Sequence, residues 1–308
     1  YTGENTFIGN GTDVCLPRAV DNPVRWVYTP NPDCYLLKSD SLIVRVDLST
    51  ASITYLDKEG GLLLQEDQNI PRISEKRVTK QVIYDEHSKH IEKTADGDKE
   101  IKNVLRYDTI GHTWKYRINF KWQPLEALYG WGAHMEDYMN LRGKELYLCQ
   151  HNLKAMVPVL NSTAGYGLLF DAGCAMMFKD NSEGSFVELE AAKQIDYYFM
   201  KGKTMDAVVA NYRLLTGNSP MMPLYLFGYI QSKERYVSSD DLINTLKEYR
   251  QRQIPIDMIV QDWNYWPEGQ WGNMSMNPKF YPDKRKLADE IHSLHAKLMI
   301  SIWPNAMN

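Results

Sequence analysis

The sequence predicts an antiparallel β-sandwich domain followed by the first βα units of a parallel α/β fold. Short runs of alternating apolar and polar residues, separated by turn residues, fill the region up to residue 202. Apolar residues take helical spacing from Lys203, and strand-like and helix-like segments alternate beyond Pro223. Alternating runs between closely spaced turns are typical of sandwiches, whereas consecutive βα units build either a doubly wound sheet or a (β/α)8 barrel. We expect a sandwich over 1–202, a helix and linker over 203–222, and parallel units over 223–308.

The first part of the chain shows the strand pattern repeatedly. Residues 1–35 are rich in Asn, Asp, Pro and Gly and predict an irregular segment or an edge strand. From Leu42 to Leu48 apolar residues alternate with others, which is the period of a half-buried strand. A tight turn is predicted at Asp96-Gly97. The further predicted strands are Ser52–Leu56, Leu62–Leu64, Thr113–Trp122, Glu145–Cys149, Met156–Leu160, Gly167–Phe170 and Ile195–Met200.

The second part changes to helices and buried strands. Apolar residues repeat at helical spacing at Met205, Val208, Val209, Tyr212 and Leu215, and Gly217 supplies a stop. After a linker with two prolines, the pattern predicts three strands and two helices. The strands are Leu224–Gln231, Ile256–Gln261 and Leu298–Trp303; one helix begins at Ser238 with Leu242, Leu246 and Tyr249 on its inner face, and the other contains Leu287, Ile291 and Leu294.

Composition excludes several classes of function. A net charge of -4 without a long Lys/Arg cluster argues against a nucleic-acid partner, and no apolar run approaches the length of a membrane span. Four cysteines without a CxxC pair and seven histidines without matching spacing predict no metal site. The sequence contains no phosphate-cradling glycine motif, and we expect no cofactor. The first residues lack a secretion signal, so any signal is expected to have been removed or never to have existed. The compartment stays open between cytoplasmic and periplasmic or secreted.

Polar and aromatic residues follow the second and third predicted strands of the parallel part. Asp262, Trp263 and Asn264 come directly after Gln261, Trp271 lies in the next loop, and Trp303 ends the third strand. Side chains at the carboxyl ends of parallel strands form the ligand sites of α/β folds. Rings cover the apolar faces of a sugar while carboxylates and amides bond its hydroxyls, so this pattern predicts a sugar site. The alternative is an aromatic strand end and loop that pack on their neighbours.

A second polar cluster lies in loops of the predicted sandwich. Glycines at 130, 132 and 143 predict tight turns or close backbone approach, and Gln150 and Asn152 follow in the next loop. These two amides are candidates for contact with a ligand. The alternative is that they and Arg142 satisfy carbonyl groups of the loops themselves.

Five segments, in this order and spacing, resemble glycoside hydrolase family 31, whose members are retaining α-glucosidases and α-xylosidases. The resemblance spans nearly the whole chain. The segments are Tyr129-Gly-Trp-Gly, Gly165-Tyr-Gly-Leu-Leu-Phe-Asp171, Tyr212-Arg-Leu-Leu-Thr-Gly217 with Pro220 and Pro223, Phe227-Gly-Tyr-Ile-Gln-Ser232, and Ile254-Pro-Ile-Asp257 with Asp262.

The resemblance implies a galactose-mutarotase-like sandwich joined to a (β/α)8 TIM barrel, truncated here after three strands. It implies two catalytic carboxyl groups, a nucleophile and a general acid. Both would lie on later barrel strands, beyond Asn308, so we expect no catalytic residue in this chain and an inactive isolated fragment of a longer enzyme. By the same resemblance Asp262 bonds hydroxyls of the sugar, Trp303 lines its pocket, and Gln150 or Asn152 reaches over it.

The residues after the second strand also bear on the substrate. Glucosidases of the family commonly carry Asp-Ile-Asp-Tyr, whereas this chain has Asp262-Trp-Asn-Tyr. A Trp beside C5 of the sugar favours a sugar without a hydroxymethyl arm. We therefore expect the protein to be an α-xylosidase that acts on terminal α-linked sugars of an oligosaccharide or glycoside. The alternatives are an α-glucosidase, α-galactosidase or α-N-acetylgalactosaminidase of the same family, a non-catalytic carbohydrate-binding protein, or a structural assembly module. Homo-oligomerisation is left open.

Overall fold

The computed structural model describes residues 14–16, 25–94, 97–151, 153–270 and 272–302. They divide into two compact units. One unit comprises residues up to Gln81 together with Asp108–Ser219, and the other comprises Val82–Tyr107 together with Pro220–Asn308. Strands dominate the first unit and the Val82–Tyr107 segment, while the rest of the second unit alternates strands and helices.

Sixteen strands among the described residues precede the first helix. In chain order they are β1 Val27–Pro30, β2 Cys34–Lys38, β3 Leu42–Asp47, β4 Ile53–Asp57, β5 Leu62–Glu66, β6 Arg72–Tyr84, β7 His90–Thr94, β8 Gly97–Ile101, β9 Val104–Lys121, β10 Leu128–Gly130, β11 Glu145–Leu148, β12 Val159–Ser162, β13 Tyr166–Phe170, β14 Met176–Asn181, β15 Gly184–Ala192 and β16 Tyr197–Lys201. A single 3-10 turn, Glu86–Ser88, lies between β6 and β7.

These strands form two main sheets. The larger has the order β1-β2-β3-β4-β5-β9-β15-β14-β11, with β6 also paired to β9; the smaller has the order β10-β12-β13-β16. Strands β7 and β8 make a separate antiparallel hairpin. Neighbours along both orders run antiparallel, as the alternating runs predicted. The Ala95-Asp96 connection, part of the predicted Asp96-Gly97 turn, lies outside the described residues.

Side chains from the two sheets share one buried cluster. Tyr116 and Phe178 of the larger sheet lie in it with Tyr166 and Phe170 of the smaller sheet, and all four are fully buried. Strand β14 alternates buried and partly buried residues, because only one of its faces meets this cluster. Strand β13 is buried throughout its length.

The second face of β13 is covered by helix α1, Met205–Thr216. Val208 and Leu215 pack there with Leu169 and Met200, so the predicted helical face is confirmed at these positions. The helix begins where the Thr204 side chain accepts a hydrogen bond from the Ala207 amide, and it ends at Gly217. At Gly167 a Cβ atom would lie only 2.5 Å from Val208 Cγ1, so the close approach of α1 requires glycine at this position.

Among its described residues after Pro220, the second unit contains three parallel strands and two α-helices. They are β17 Ile230–Gln231, α2 Ser239–Gln251, β18 Met258–Gln261, α3 Lys284–Ser293 and β19 Lys297–Ile300, with β18 in the middle of the sheet. The predicted helix start is confirmed, since Ser238 accepts from the Asp241 amide. Leu242, Leu246, Leu287 and Ile291 are buried in the core of this unit, as their spacing predicted.

Several predicted strands have wrong bounds. Strand β16 begins at Tyr197 and not at Ile195, and strand β19 ends at Ile300. Leu224–Phe227 is a 3-10 turn after Pro223, and the strand begins only at Ile230. A short apolar run does not distinguish a strand from a helical turn by its period. Strand β12 begins at Val159 rather than Met156, because Pro158 has no N–H to donate to a sheet. Strands β14 and β15 were missed, since the turn residues around 173–184 obscure their alternation.

Candidate functional site

The candidate site lies at the carboxyl end of β18, the middle strand of the parallel sheet. Asp262 and Trp263 follow that strand and are partly buried, and Asn264 is exposed. The strand itself is fully buried, so the first residue to leave it is Asp262. The structure thus brings a carboxylate, an indole and an amide to one end of one strand. This group can bond hydroxyls and offer an apolar ring to a small polar ligand.

Backbone geometry at Asn264 turns the chain away from the strand. Its φ is +56°, in the left-handed region that is unfavourable for residues other than glycine. Asn adopts this conformation more readily than most residues because its short polar side chain can bond locally. The turn directs the next two residues back into the core, where Tyr265 and Trp266 are buried. The rings of Tyr265 and Trp266 therefore pack on their neighbours in the core, which is the alternative given above for an aromatic strand end.

The Asn264 turn gives a prediction about stability. Replacing Asn264 with Val should lower the free energy of unfolding by about 1–2 kcal/mol, because a β-branched residue strongly disfavours positive φ. Replacing it with Gly should cost little or nothing, since glycine adopts this conformation freely. Thermal unfolding of the two variants checks this, and equal midpoints would contradict it.

A buried hydrogen-bond network supports the same end of the sheet, and the sequence did not reveal it. The Gln261 side chain is fully buried, and its amide nitrogen donates to the Tyr236 carbonyl oxygen at 3.2 Å. The Tyr281 hydroxyl donates to that same carbonyl oxygen at 2.6 Å and lies 3.0 Å from Gln261 Oε1. Burial raises the pKa of Tyr281 to about 12, so the hydroxyl keeps its proton. The sequence feature that could have indicated this network is a glutamine, Gln261, at the last position of a predicted buried strand.

In the first unit, the predicted amide Gln150 is exposed and bonds to its own loop. Its amide nitrogen donates to the Lys154 carbonyl oxygen at 2.5 Å, and its amide oxygen accepts from the Met156 N–H at 2.9 Å. Both ends of the side chain thus brace the loop between β11 and β12. Nearby, the predicted close approach of glycines is confirmed: a Cβ at Gly130 would lie 2.3 Å from the Val159 carbonyl oxygen, and one at Gly132 would lie 1.9 Å from that of Ala155.

Arg142 also bonds to neighbouring loops. Its guanidinium donates to the carbonyl oxygens of Gln123 and Glu126 at 2.9 Å each, as the structural alternative predicted. Its Nε donates to Asp180 Oδ2 at 2.9 Å, and the Gly143 amide donates to the same oxygen. Burial by itself raises the pKa of the Asp180 carboxyl, but hydrogen bonds from Ser185, Gly143 and Arg142 outweigh it and hold the pKa below its usual value.

The lowered pKa of Asp180 predicts a pH-dependent contribution to stability. A carboxyl whose pKa falls on folding stabilises the protein above its unfolded pKa, about 3.9, and loses that contribution as the pH falls through the folded pKa. Asp180→Asn should therefore lower the free energy of unfolding by about 2 kcal/mol at pH 7 and by much less near pH 3. Urea unfolding at both pH values checks this, with the exposed Glu183→Gln as control; an equal loss at both would contradict it.

Three predicted site residues, Asn152, Trp271 and Trp303, lie outside the described residues. Asp262, Trp263 and Asn264 belong to the second unit, and Gln150 belongs to the first. Across the part of the chain that the structure describes, no three His, Cys, Asp or Glu side chains are grouped as metal ligands would be. Within the same residues, no helix is both long and apolar enough to cross a membrane.

Comparison with known proteins shows which family the chain is similar to. The model of the "Glycosyl hydrolases family 31 TIM-barrel domain" matches residues 219–308. An alpha-xylosidase of Saccharolobus solfataricus is 29% identical over an alignment that covers 99% of the chain. Residues 219–308 thus match the family 31 barrel-domain model, and nearly the whole chain is similar to an alpha-xylosidase. A family 31 glucosidase of Pseudescherichia vulneris, whose name marks it as uncharacterised, is 30% identical over 63% of the chain.

Solved structures share the fold of this chain. The crystal structure of a family 31 alpha-xylosidase from a soil metagenome, complexed with xylose, superposes with a TM-score of 0.75 at 23% identity. The superposition covers 98% of this chain and 42% of that one. The chain spans 38% of the S. solfataricus protein and 36% of the P. vulneris protein. The part of the family fold present here is thus matched from end to end.

Proposed function

We propose that this chain forms the sugar-recognition part of a retaining α-glycoside hydrolase of family 31 that prefers α-xylosides. The observation that carries the proposal is the Asp262-Trp263-Asn264 group at the carboxyl end of the middle parallel strand. That end of such a sheet is where α/β enzymes bind their substrates. Two relatives that are named alpha-xylosidases, from S. solfataricus and Aspergillus niger, support the choice of sugar.

The proposed architecture is a β-sandwich over 1–202, a helix and linker over 203–222, and the first three strands of a (β/α)8 barrel over 223–308. The shared core of the two antiparallel sheets and the parallel β17-β18-β19 sheet support it. In this arrangement the nucleophile and the general acid belong to later barrel strands, and Asp262 binds substrate. Trp271 and Trp303 are proposed further contacts to the sugar.

Each described group has a role that its chemistry suits. Asp262 is only partly buried, so its carboxylate can accept hydrogen bonds from sugar hydroxyls. Trp263 packs against the core of the second unit while part of its surface stays exposed. In the proposed site, an indole beside C5 of the sugar would occupy the room of a hydroxymethyl arm. Such a site favours a pentose over a hexose.

The experiment compares hydrolysis of nitrophenyl α-xyloside and nitrophenyl α-glucoside by the full-length protein. We expect a higher kcat/KM for the xyloside and an α-configured sugar as the first product. A clear preference for the glucoside would refute the proposed specificity. Calorimetric binding of xylose without turnover of either compound would instead indicate a non-catalytic carbohydrate-binding protein.

A further inference from the structure

A second side chain lies over the Trp263 ring. The guanidinium carbon of Arg235 is 5.5 Å from the centroid of that ring. Arg235 is partly buried and lies in the segment between β17 and α2. A cation within about 6 Å of an indole centroid is attracted to the ring face. Arg235 thus covers part of the ring that is proposed to select the sugar.

The segment that carries Arg235 is anchored on both sides. On one side, the Tyr236 carbonyl oxygen accepts hydrogen bonds from Gln261 and Tyr281, and the Tyr236 ring is 1% exposed. On the same side, the Val237 amide donates to the Asp241 carboxylate of α2 at 3.1 Å. On the other side of Arg235, Lys233 Nζ lies 3.3 Å from that carboxylate. Anchors on each side of Arg235 leave its backbone little freedom. The Arg235 guanidinium therefore reaches the Trp263 ring from a backbone that is held in place.

The Trp263 backbone is constrained as well. Gln261, which bonds to Tyr236, precedes it by two residues, and the left-handed Asn264 follows it. One side chain, Gln261, therefore couples the strand that precedes Trp263 to the segment that carries Arg235. With both backbones set, the ring-to-guanidinium contact restricts rotation of the indole about its side-chain bonds.

We infer that Arg235 is a positioning residue that fixes the plane of the Trp263 ring and thereby the preference for a pentose. This inference rests on the proposed function, because it assigns the control of sugar selectivity in the same site. Arg235 need not touch the sugar. Arg235 acts on the substrate through the Trp263 indole, so its replacement should change substrate binding more than the rate of the chemical step.

The test measures the ratio of kcat/KM for nitrophenyl α-xyloside to that for nitrophenyl α-glucoside in the full-length protein. Arg235→Met keeps an apolar stem but removes the cation, and we expect it to lower the ratio about three- to tenfold, chiefly through KM for the xyloside. Arg235→Lys should restore most of the ratio, since it returns a cation. In a Trp263→Leu background, Arg235→Met should change nothing further. Arg252→Met, at an exposed arginine after α2, is the matched control.

A second readout is independent of turnover. In protein labelled with 5-fluorotryptophan, the fluorine resonance of Trp263 is identified by its loss in Trp263→Leu. We expect that resonance to shift in Arg235→Met and to keep its position in Arg252→Met. An unshifted resonance, or an equal fall in the ratio with and without Trp263, would overturn the positioning role. Absence of hydrolysis with a shifted resonance would uphold it while refuting the proposed function.

Discussion

Replacing Glu66 with glutamine should lower the free energy of unfolding by about 3–5 kcal/mol, the typical cost of breaking a buried ion pair. The Glu66 side chain is fully buried, and Arg72 Nη2 donates to both of its carboxylate oxygens, at 2.7 and 2.5 Å. The Ile53 amide and the Tyr197 hydroxyl donate to the same carboxylate at 2.9 and 2.8 Å. A neutral amide would leave the guanidinium without that charge and would place an N–H group against these donors.

The measurement is urea unfolding of the first unit's strands, followed by circular dichroism. Glu59→Gln is the control, because Glu59 forms an exposed pair with Lys58 and should change stability by less than about 1 kcal/mol. Equal losses in the two variants would show that the Glu66 pair adds no more than a surface pair does.

Replacing Arg72 with methionine should lower the free energy of unfolding by an amount that depends on pH. Burial raises the pKa of Glu66, while Arg72, the Ile53 amide and Tyr197 counteract it. Without Arg72 the pKa should rise further, and a carboxyl whose pKa is raised on folding destabilises the protein as the pH rises through that value. The loss of stability should therefore be larger at pH 8 than at pH 5. A loss independent of pH would argue against Glu66 as the responsible group.

Replacing Asp262 with alanine should lower kcat/KM of the full-length protein roughly 10- to 100-fold for its best α-glycoside. A hydrogen bond to a charged group is worth about 1.5–3 kcal/mol, and about 1.4 kcal/mol corresponds to a factor of ten. Asp262 leaves the fully buried strand β18 at the end where substrate is proposed to bind. The loss should stop short of abolishing turnover, because Asp262 is assigned to binding and not to bond cleavage.

Asp289→Ala is the matched control, since its carboxylate on α3 is 69% exposed and remote from the strand end in sequence. Unchanged circular dichroism of both variants would show that the fold is intact. Complete loss of activity in Asp262→Ala, with the fold retained, would indicate a catalytic carboxylate in place of a binding one. Unaltered kinetics would remove Asp262 from the site.

The elements with a clean period or a capping signal could be predicted from the sequence. Helix α1 was specified by its apolar spacing and by Gly217, and α2 by Ser238 with the carboxylates that follow it. The antiparallel first part and the parallel order of β17, β18 and β19 were predicted as well. Leu224–Phe227 was not, because four apolar residues after a proline suit a 3-10 turn as well as a strand.

For the site, the sequence by itself determined which functional groups lie at the carboxyl end of β18. Residue type and strand position are both properties of the local sequence. It placed Asp262, Trp263 and Asn264 there, and its five motifs pointed to the family. Only the tertiary structure decided what surrounds them. Gln261, Tyr236 and Tyr281 meet across segments 20 to 45 residues apart, and Arg235 lies over the Trp263 ring. Such contacts depend on how strands and helices pack, and no local period or spacing encodes them.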